Sequence, residues 1–394
     1  MKKLIAMLLA MVMVLGLAAC GGSSAPAATE APAAPATDAA PATEAAASTA
    51  DGRVYYLNFK PEFDTALQGL AKTYTEKTGV PVKVVTAASG TYSDTLIAEM
   101  AKSEAPTVFN IGNMSGLKDW DEYALDLNGT DLAAELTTND FNLYNEAGEL
   151  KAMGYCYESF GIIVNTKLLE QAGHSLDEIK DFASLKTVAD DIHANASALG
   201  FDAFSGAGLD GSSSWRFSGH LANMPLFYEF RDDGVTEQPA TIKGSYMDAF
   251  RNIWDLYITD TATDAKTLST ATLDESKAQF TQGQAVFYQN GTWEYAGLIE
   301  AGMTDDELAM IPIYCGVDGE EKAALCSGTE NCWAVNAKVS EADQKATLDF
   351  LKWLVTDADA SATMVSELGA VPFKNCPASS NKFIVDGNAL LADG

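Results

Sequence analysis

The sequence predicts an α/β body of two lobes, set behind a secretory leader and a solvated tether. Three observations carry this. Strand-like and helix-like stretches alternate from Val54 to Ile111, as strand–helix–strand winding requires. The body runs for about 340 residues from Arg53, more than one core ordinarily serves. From Gly21 to about Ala50 the composition, without aromatic residues or large aliphatics, cannot build a core.

The part ahead of the body divides at Cys20. Met1-Lys2-Lys3 and the apolar run Leu4 to Ala19 have the charge and length of a signal peptide rather than a spanning helix, so 1–19 is read as leader. Leu17-Ala18-Ala19-Cys20 resembles the lipobox of bacterial lipoproteins, which implies cleavage before Cys20 and a lipid anchor on its thiol. Residues 20–52, rich in Ala, Pro and Thr, read as a disordered tether. Localisation on the outer side of the cell membrane, held by lipid alone, is the expectation.

Charge narrows the partners. A formal charge of −30 repels nucleic acid and anionic headgroups. The three histidines, His174, His193 and His220, lack the spacing of a transition-metal site, and Asp357 to Thr363 mimics a calcium loop without its glycine or terminal glutamate. No cofactor is expected. Beyond Cys20 the cysteines are Cys156, Cys315, Cys326, Cys332 and Cys376, an odd number, so at least one thiol stays free.

Along the body, Val54 to Phe59 reads as a strand, and Phe63, Leu67, Leu70 and Tyr74 recur at helical spacing up to Thr78-Gly79. Val80 to Val85 is the next strand; a helix bearing Leu96, Ile97 and Met100 leads to a third, Thr107 to Ile111. This winding implies a parallel sheet, with the loop Gly112 to Gly116 at its carboxyl edge. Met153 to Asn165 is β-prone but interrupted by Glu158. Ser175 to Glu178 forms a capping box that opens a helix, and Ser205 to Trp215 is a long Gly- and Ser-rich loop. Helical patterns over Met247 to Tyr257 and Ser276 to Phe280 precede the strand Ala285 to Tyr288, the turn Asn290-Gly291 and Trp293. Ile311 to Tyr314 reads as a short strand, Trp333 to Asn336 as another, and Ser340 caps a helix bearing Leu348, Leu351 and Val355.

Four local patterns then come together in order: Lys77-Thr78-Gly79 before a strand, Phe160 to Lys167, Asn290-Gly291-Thr292-Trp293, and Leu368 to Pro372. With them the body resembles the solute-binding proteins of carbohydrate ABC importers, the group that includes maltose-binding protein. The resemblance implies a type II periplasmic-binding-protein fold, its ligand cleft between lobes joined by several crossovers. It implies lobe 1 over 53–159 and 312–356, lobe 2 over 160–311 and 357–394, a monomer, and a membrane permease as partner. Trp293 matches the family's sugar-stacking tryptophan, and Glu158 a cleft carboxylate before the first crossover.

A pyranose has an apolar C–H face and a rim of hydroxyls, so its site needs flat aromatics and side-chain amides or carboxylates. The candidates for the face are Trp293, Trp215 and Tyr92, with Trp333; those for the rim are Glu158, Glu330, Asn113 and Asn290. Each has a plainer reading: Trp293 as a helix-start packing residue, Trp333 as core, Glu158 as a structural hinge carboxylate. Trp120, Trp254 and Trp353 lie in helical patterns and read as packing. The expected function is capture of a neutral oligosaccharide without catalysis. Two other readings stand beside it, a receptor for a cationic solute such as a polyamine and an anchored glycan hydrolase.

Overall fold

The computed structural model describes residues 51–206, 208–236 and 239–392. The leader, Cys20 and nearly all of the tether lie outside the described residues.

The first sheet grows from β1 (Val54–Asn58), buried at every position because strands lie on both its edges and packed cores on both its faces. It runs parallel to β2 (Val82–Thr86) on one side and β3 (Val108–Asn110) on the other. β11 (Cys332–Val335) joins β3 antiparallel, and β5 (Leu150–Gly154) and β4 (Leu143–Tyr144) extend the edge. The helix Asp64–Thr78 packs Leu67, Leu70 and Tyr74 inward and stops at Gly79, whose φ of 76° is free to glycine and costly to other residues.

The second sheet is centred on β6 (Glu158–Asn165). β8 (Ala285–Gly291) lies antiparallel along one edge of β6 and carries β7 (Asp202–Phe204) beyond it. The other edge is shared by β10 (Cys326–Gly328) and β9 (Leu308–Ile311). Each sheet has its own core on either face.

The chain crosses between the sheets at 154–158, at 328–332 and after Phe373. The last two differ from the boundaries the sequence implies. Ile313, Tyr314, Cys315 and Val317 complete the core of the second sheet, so the return is not at 312. Ala360, Met364 and Leu368 of the helix Ala358–Leu368 pack in the first core with Phe373, so the departure is not at 357. Only Phe383 and its helix rejoin the second sheet. In both cases a break in local pattern, Pro312 or Asp357, lies upstream of where the apolar residues change core.

Local readings shift in three places. Asn290-Gly291 is not a turn: both residues belong to β8 and are buried. The capping box at Ser175 opens only a single 3-10 turn, and the long helix Phe182–Leu199 starts from a second box at Asp181. Ile311 ends β9 rather than starting a strand. The five described cysteines are unpaired. Trp120 and Trp353 pack as expected, on Phe109 and Tyr74 respectively.

Trp333 is the clearest correction. It is 1% exposed in the middle of the first sheet, stacked on Tyr155 at 4.6 Å, with its indole N–H donated to the Tyr56 hydroxyl. A ring with both faces covered has no surface left for a ligand. Trp333→Ala is expected to lower stability by about 3–5 kcal/mol in urea unfolding through the cavity it leaves; a loss under about 1 kcal/mol would contradict this placement.

Candidate functional site

The pairing of β6 with β8 sets the site. Phe160 stands directly opposite Gly291, and Ile162 opposite Gln289, so all four side-chain positions point to one face of the sheet. Gly291 leaves a space there, and the indole of Trp293 folds back into it so closely that a Cβ on Gly291 would collide with the ring. Trp293 sits at the start of the helix Glu294–Glu300 and is half-buried.

The other wall comes from the loop that begins at Ser205. Asp210 accepts from the Ser212 backbone N–H and hydroxyl, and the indole N–H of Trp215 donates to the Ser212 carbonyl at 2.8 Å, which tethers the ring. A π-helical turn, Arg216–Leu221, follows. Positions five apart come into register on such a turn, whereas an α-helix would separate them. Trp215 and His220 are therefore brought together, ring centroids 5.0 Å apart. His220 lies flat on Phe160 at 4.0 Å, and Trp293 closes on both, 5.5 Å from His220 and 6.1 Å from Trp215.

Burial, and next the neighbouring Arg216 guanidinium, push the His220 pKa down to about 3, so the imidazole is neutral at physiological pH. Gln289 donates its amide to His220 Nδ1 at 2.9 Å. Arg216 is itself buried, its guanidinium donating to the Gln289 carbonyl and to the hydroxyls of Ser213 and Ser276.

Glu158, at the start of β6, faces the same side as Phe160 two residues on. Its carboxylate takes Lys60 Nζ and Asn331 Nδ2, both at 2.7 Å, and Lys60 also pairs with Glu62. Burial alone would lower the Lys60 pKa, but Glu158 and Glu62 overturn this and hold it above its ordinary value. Lys60 and Asn331 belong to the first sheet's connections and Glu158 to the second, so this cluster joins the lobes at the crossover.

Of the sequence-predicted residues, Trp293 and Trp215 are brought together, and Glu158 lies at the crossover with both oxygens engaged. Asn290, Asn113 and Tyr92 take structural parts. Asn290 is one step off the Phe160 face, fully buried, and binds the Tyr288 hydroxyl and Glu294. Asn113 is the N-cap of the helix Met114–Trp120, its oxygen accepting from the Gly116 N–H. The Tyr92 hydroxyl accepts from the Asn110 N–H and so spans the carboxyl ends of the first sheet. Glu330 is exposed, and its backbone oxygen receives the Asn110 side chain. Among the described residues no three His, Cys, Asp or Glu side chains gather as a metal site.

Sequence reasoning missed Phe160, His220, Gln289 and Lys60. Phe160 had a signal, since it alternates with Glu158 on a strand. His220 had none, because a five-residue spacing acquires meaning only on the π turn.

Two sheets with separate cores, several crossovers and an aromatic recess at a strand end define a two-lobed binding protein. Residues 69–384 match the bacterial extracellular solute-binding proteins, and the chain belongs to that family. Its fold is similar to that of the solute-binding protein RafE solved with raffinose, at 17% identity over 85% of this chain and 86% of that one, TM-score 0.67. It is similar as well to a chitin oligosaccharide-binding protein, at 17% identity over 86% of each chain, TM-score 0.64. A sugar transporter from Bacillus licheniformis in complex with stachyose matches at 15% identity over 86% of each chain, TM-score 0.64. No curated protein sequence matches the chain. Among the described residues no helix is long and apolar enough to cross a membrane.

Gly291→Ala is expected to displace the Trp293 indole, shifting tryptophan emission and near-ultraviolet dichroism while far-ultraviolet dichroism stays at parent level. Unchanged aromatic spectra would contradict the packing of the ring over Gly291.

Proposed function

We propose that the protein captures a neutral oligosaccharide and passes it to an ABC importer permease. The observation that carries this reading is the meeting of Trp215, Trp293 and His220 over Phe160 at the end of β6 and β8. Two half-buried indoles offer a pyranose ring an apolar face, and the similar folds solved with raffinose and stachyose support the ligand class.

The two competing readings fare less well on the same geometry. A polyamine site needs free carboxylates at both ends, yet both Glu158 oxygens are taken by Lys60 and Asn331, which leaves Glu330 alone among the candidates. A glycosidase needs a carboxyl poised to give its proton with a second carboxyl beside it. Glu158 is held by a buried ammonium, so Glu330, whose pKa is pushed up by desolvation and then by Glu158, has no free second carboxyl among the candidates. Delivery would start from a lipid-held receptor, as the lipobox at Cys20 implies. Cys20→Ala is expected to move the protein from the membrane fraction to the medium or periplasm; retention on the membrane would remove the anchor from the account.

Stacking on Trp293 dominates affinity in this reading. Covering roughly 100 Å² of apolar surface contributes on the order of 2–3 kcal/mol, against about 1 kcal/mol for a typical net hydrogen bond. Calorimetry against raffinose, stachyose, maltose, chitooligosaccharides and spermidine is expected to show sugar binding by the parent. Trp293→Ala is expected to weaken it about 30-fold or more while remaining folded. Binding of spermidine alone, or release of shorter sugars on incubation, would sink the proposal.

A further inference from the structure

We infer that His220 is a ligand-contacting hydrogen-bond donor, presenting its Nε2–H to an oxygen of a sugar that lies against the indoles of Trp215 and Trp293. The inference rests on the oligosaccharide reading and adds to it the group that reads a hydroxyl.

The geometry leaves the imidazole one free polar atom. One ring face is covered by Phe160 at 4.0 Å with the planes 5° apart. The two indoles stand around the remainder, tilted at 73° and 55° to the imidazole. Gln289 donates to Nδ1, which makes that nitrogen the acceptor and puts the ring proton on Nε2. Nε2 has no partner among the described residues, nor does it belong to the closed-off polar atoms without one, so it keeps a small accessible surface on a residue that is 9% exposed. A nearly buried ring with a fixed tautomer and one exposed donor is costly to leave unpaired when a ligand expels water.

Burial, and after it Arg216, keeps the donor neutral. Arg216 lies four residues before the histidine, buried, and its charge opposes a second cation beside it. The recess then offers a dipole instead of an ion, which suits a hydroxyl and gives an anion no advantage. A ligand with an apolar surface but no oxygen at this point would stack on the indoles and leave Nε2–H unsatisfied. The histidine thus turns a sticky aromatic recess into one that selects polyols.

Calorimetry on the parent, His220→Phe and His220→Gln tests this, using whichever of raffinose, maltose and chitotriose the parent binds best, together with its monodeoxy congeners. Phenylalanine keeps the stack on Phe160 and removes the donor; Gln289→Met is added in a second phenylalanine variant so that no buried amide is left unpaired. Glutamine returns an N–H near the Nε2 position. Both phenylalanine variants are expected to bind about 5- to 10-fold more weakly, with glutamine restoring at least half of that on a logarithmic scale. One monodeoxy congener should bind the parent and the phenylalanine variants alike, a result that a purely structural histidine would not produce. Equal discrimination of every congener by the parent and the phenylalanine variants overturns the inference while leaving the oligosaccharide reading intact. Nitrogen-15 spectra of the ligand-free parent give an independent check: a proton on Nδ1 rather than Nε2 also overturns it. A parent that binds no sugar overturns both readings.

Discussion

The register between β6 and β8 is the constraint on which the recess depends. Phe160 opposite Gly291 pairs the bulkiest residue at that end of β6 with the residue that has no side chain. The Trp293 indole fills the difference, and His220 completes the stack from the far wall. A one-residue slip would send Phe160 to the other face and bring Asn290 into the gap, since side chains alternate along a strand. The aromatic surface therefore follows from backbone pairing before any ligand is present.

A second constraint acts where the chain passes between sheets. Most ion pairs here join exposed groups and add little, as with Lys72–Glu76 or Arg251–Asp255. Lys60 differs because it is 4% exposed and meets Glu158 across the crossover. Burying both charges consumes much of their attraction, so the pair is weak evidence for stability. It is stronger evidence for geometry: a buried ammonium must keep the company of its largely covered carboxylate, which ties the start of β6 to the end of β1. The same bond that orients the crossover removes Glu158 from duty as a free carboxylate.

Legibility from sequence followed how local each feature is. The winding of β1, β2 and β3 was readable because Leu67, Leu70 and Tyr74 repeat at helical spacing between β-branched runs. Trp215 and Trp293 stood out as aromatics beside a polar loop and a strand end. Trp333 misled because a tryptophan opening a strand has the same pattern whether its faces are covered or free, and only the stacking of Tyr155 decides. Asn290-Gly291 misled because turn chemistry was read where the glycine serves to admit an indole. His220 was invisible, since its place depends on a π turn, and the lobe boundaries were displaced because Pro312 and Asp357 interrupt the pattern before the core changes.

The aromatic recess as the ligand site is the claim on which the rest stands. A crystal structure of the protein with the tightest-binding trisaccharide tests it most directly. The account predicts a pyranose ring lying against the Trp293 indole at about van der Waals distance, roughly 4 Å, with an oxygen directed at His220 Nε2. Ligand density elsewhere on the molecule, with Trp215, His220 and Trp293 as arranged without ligand, would contradict it.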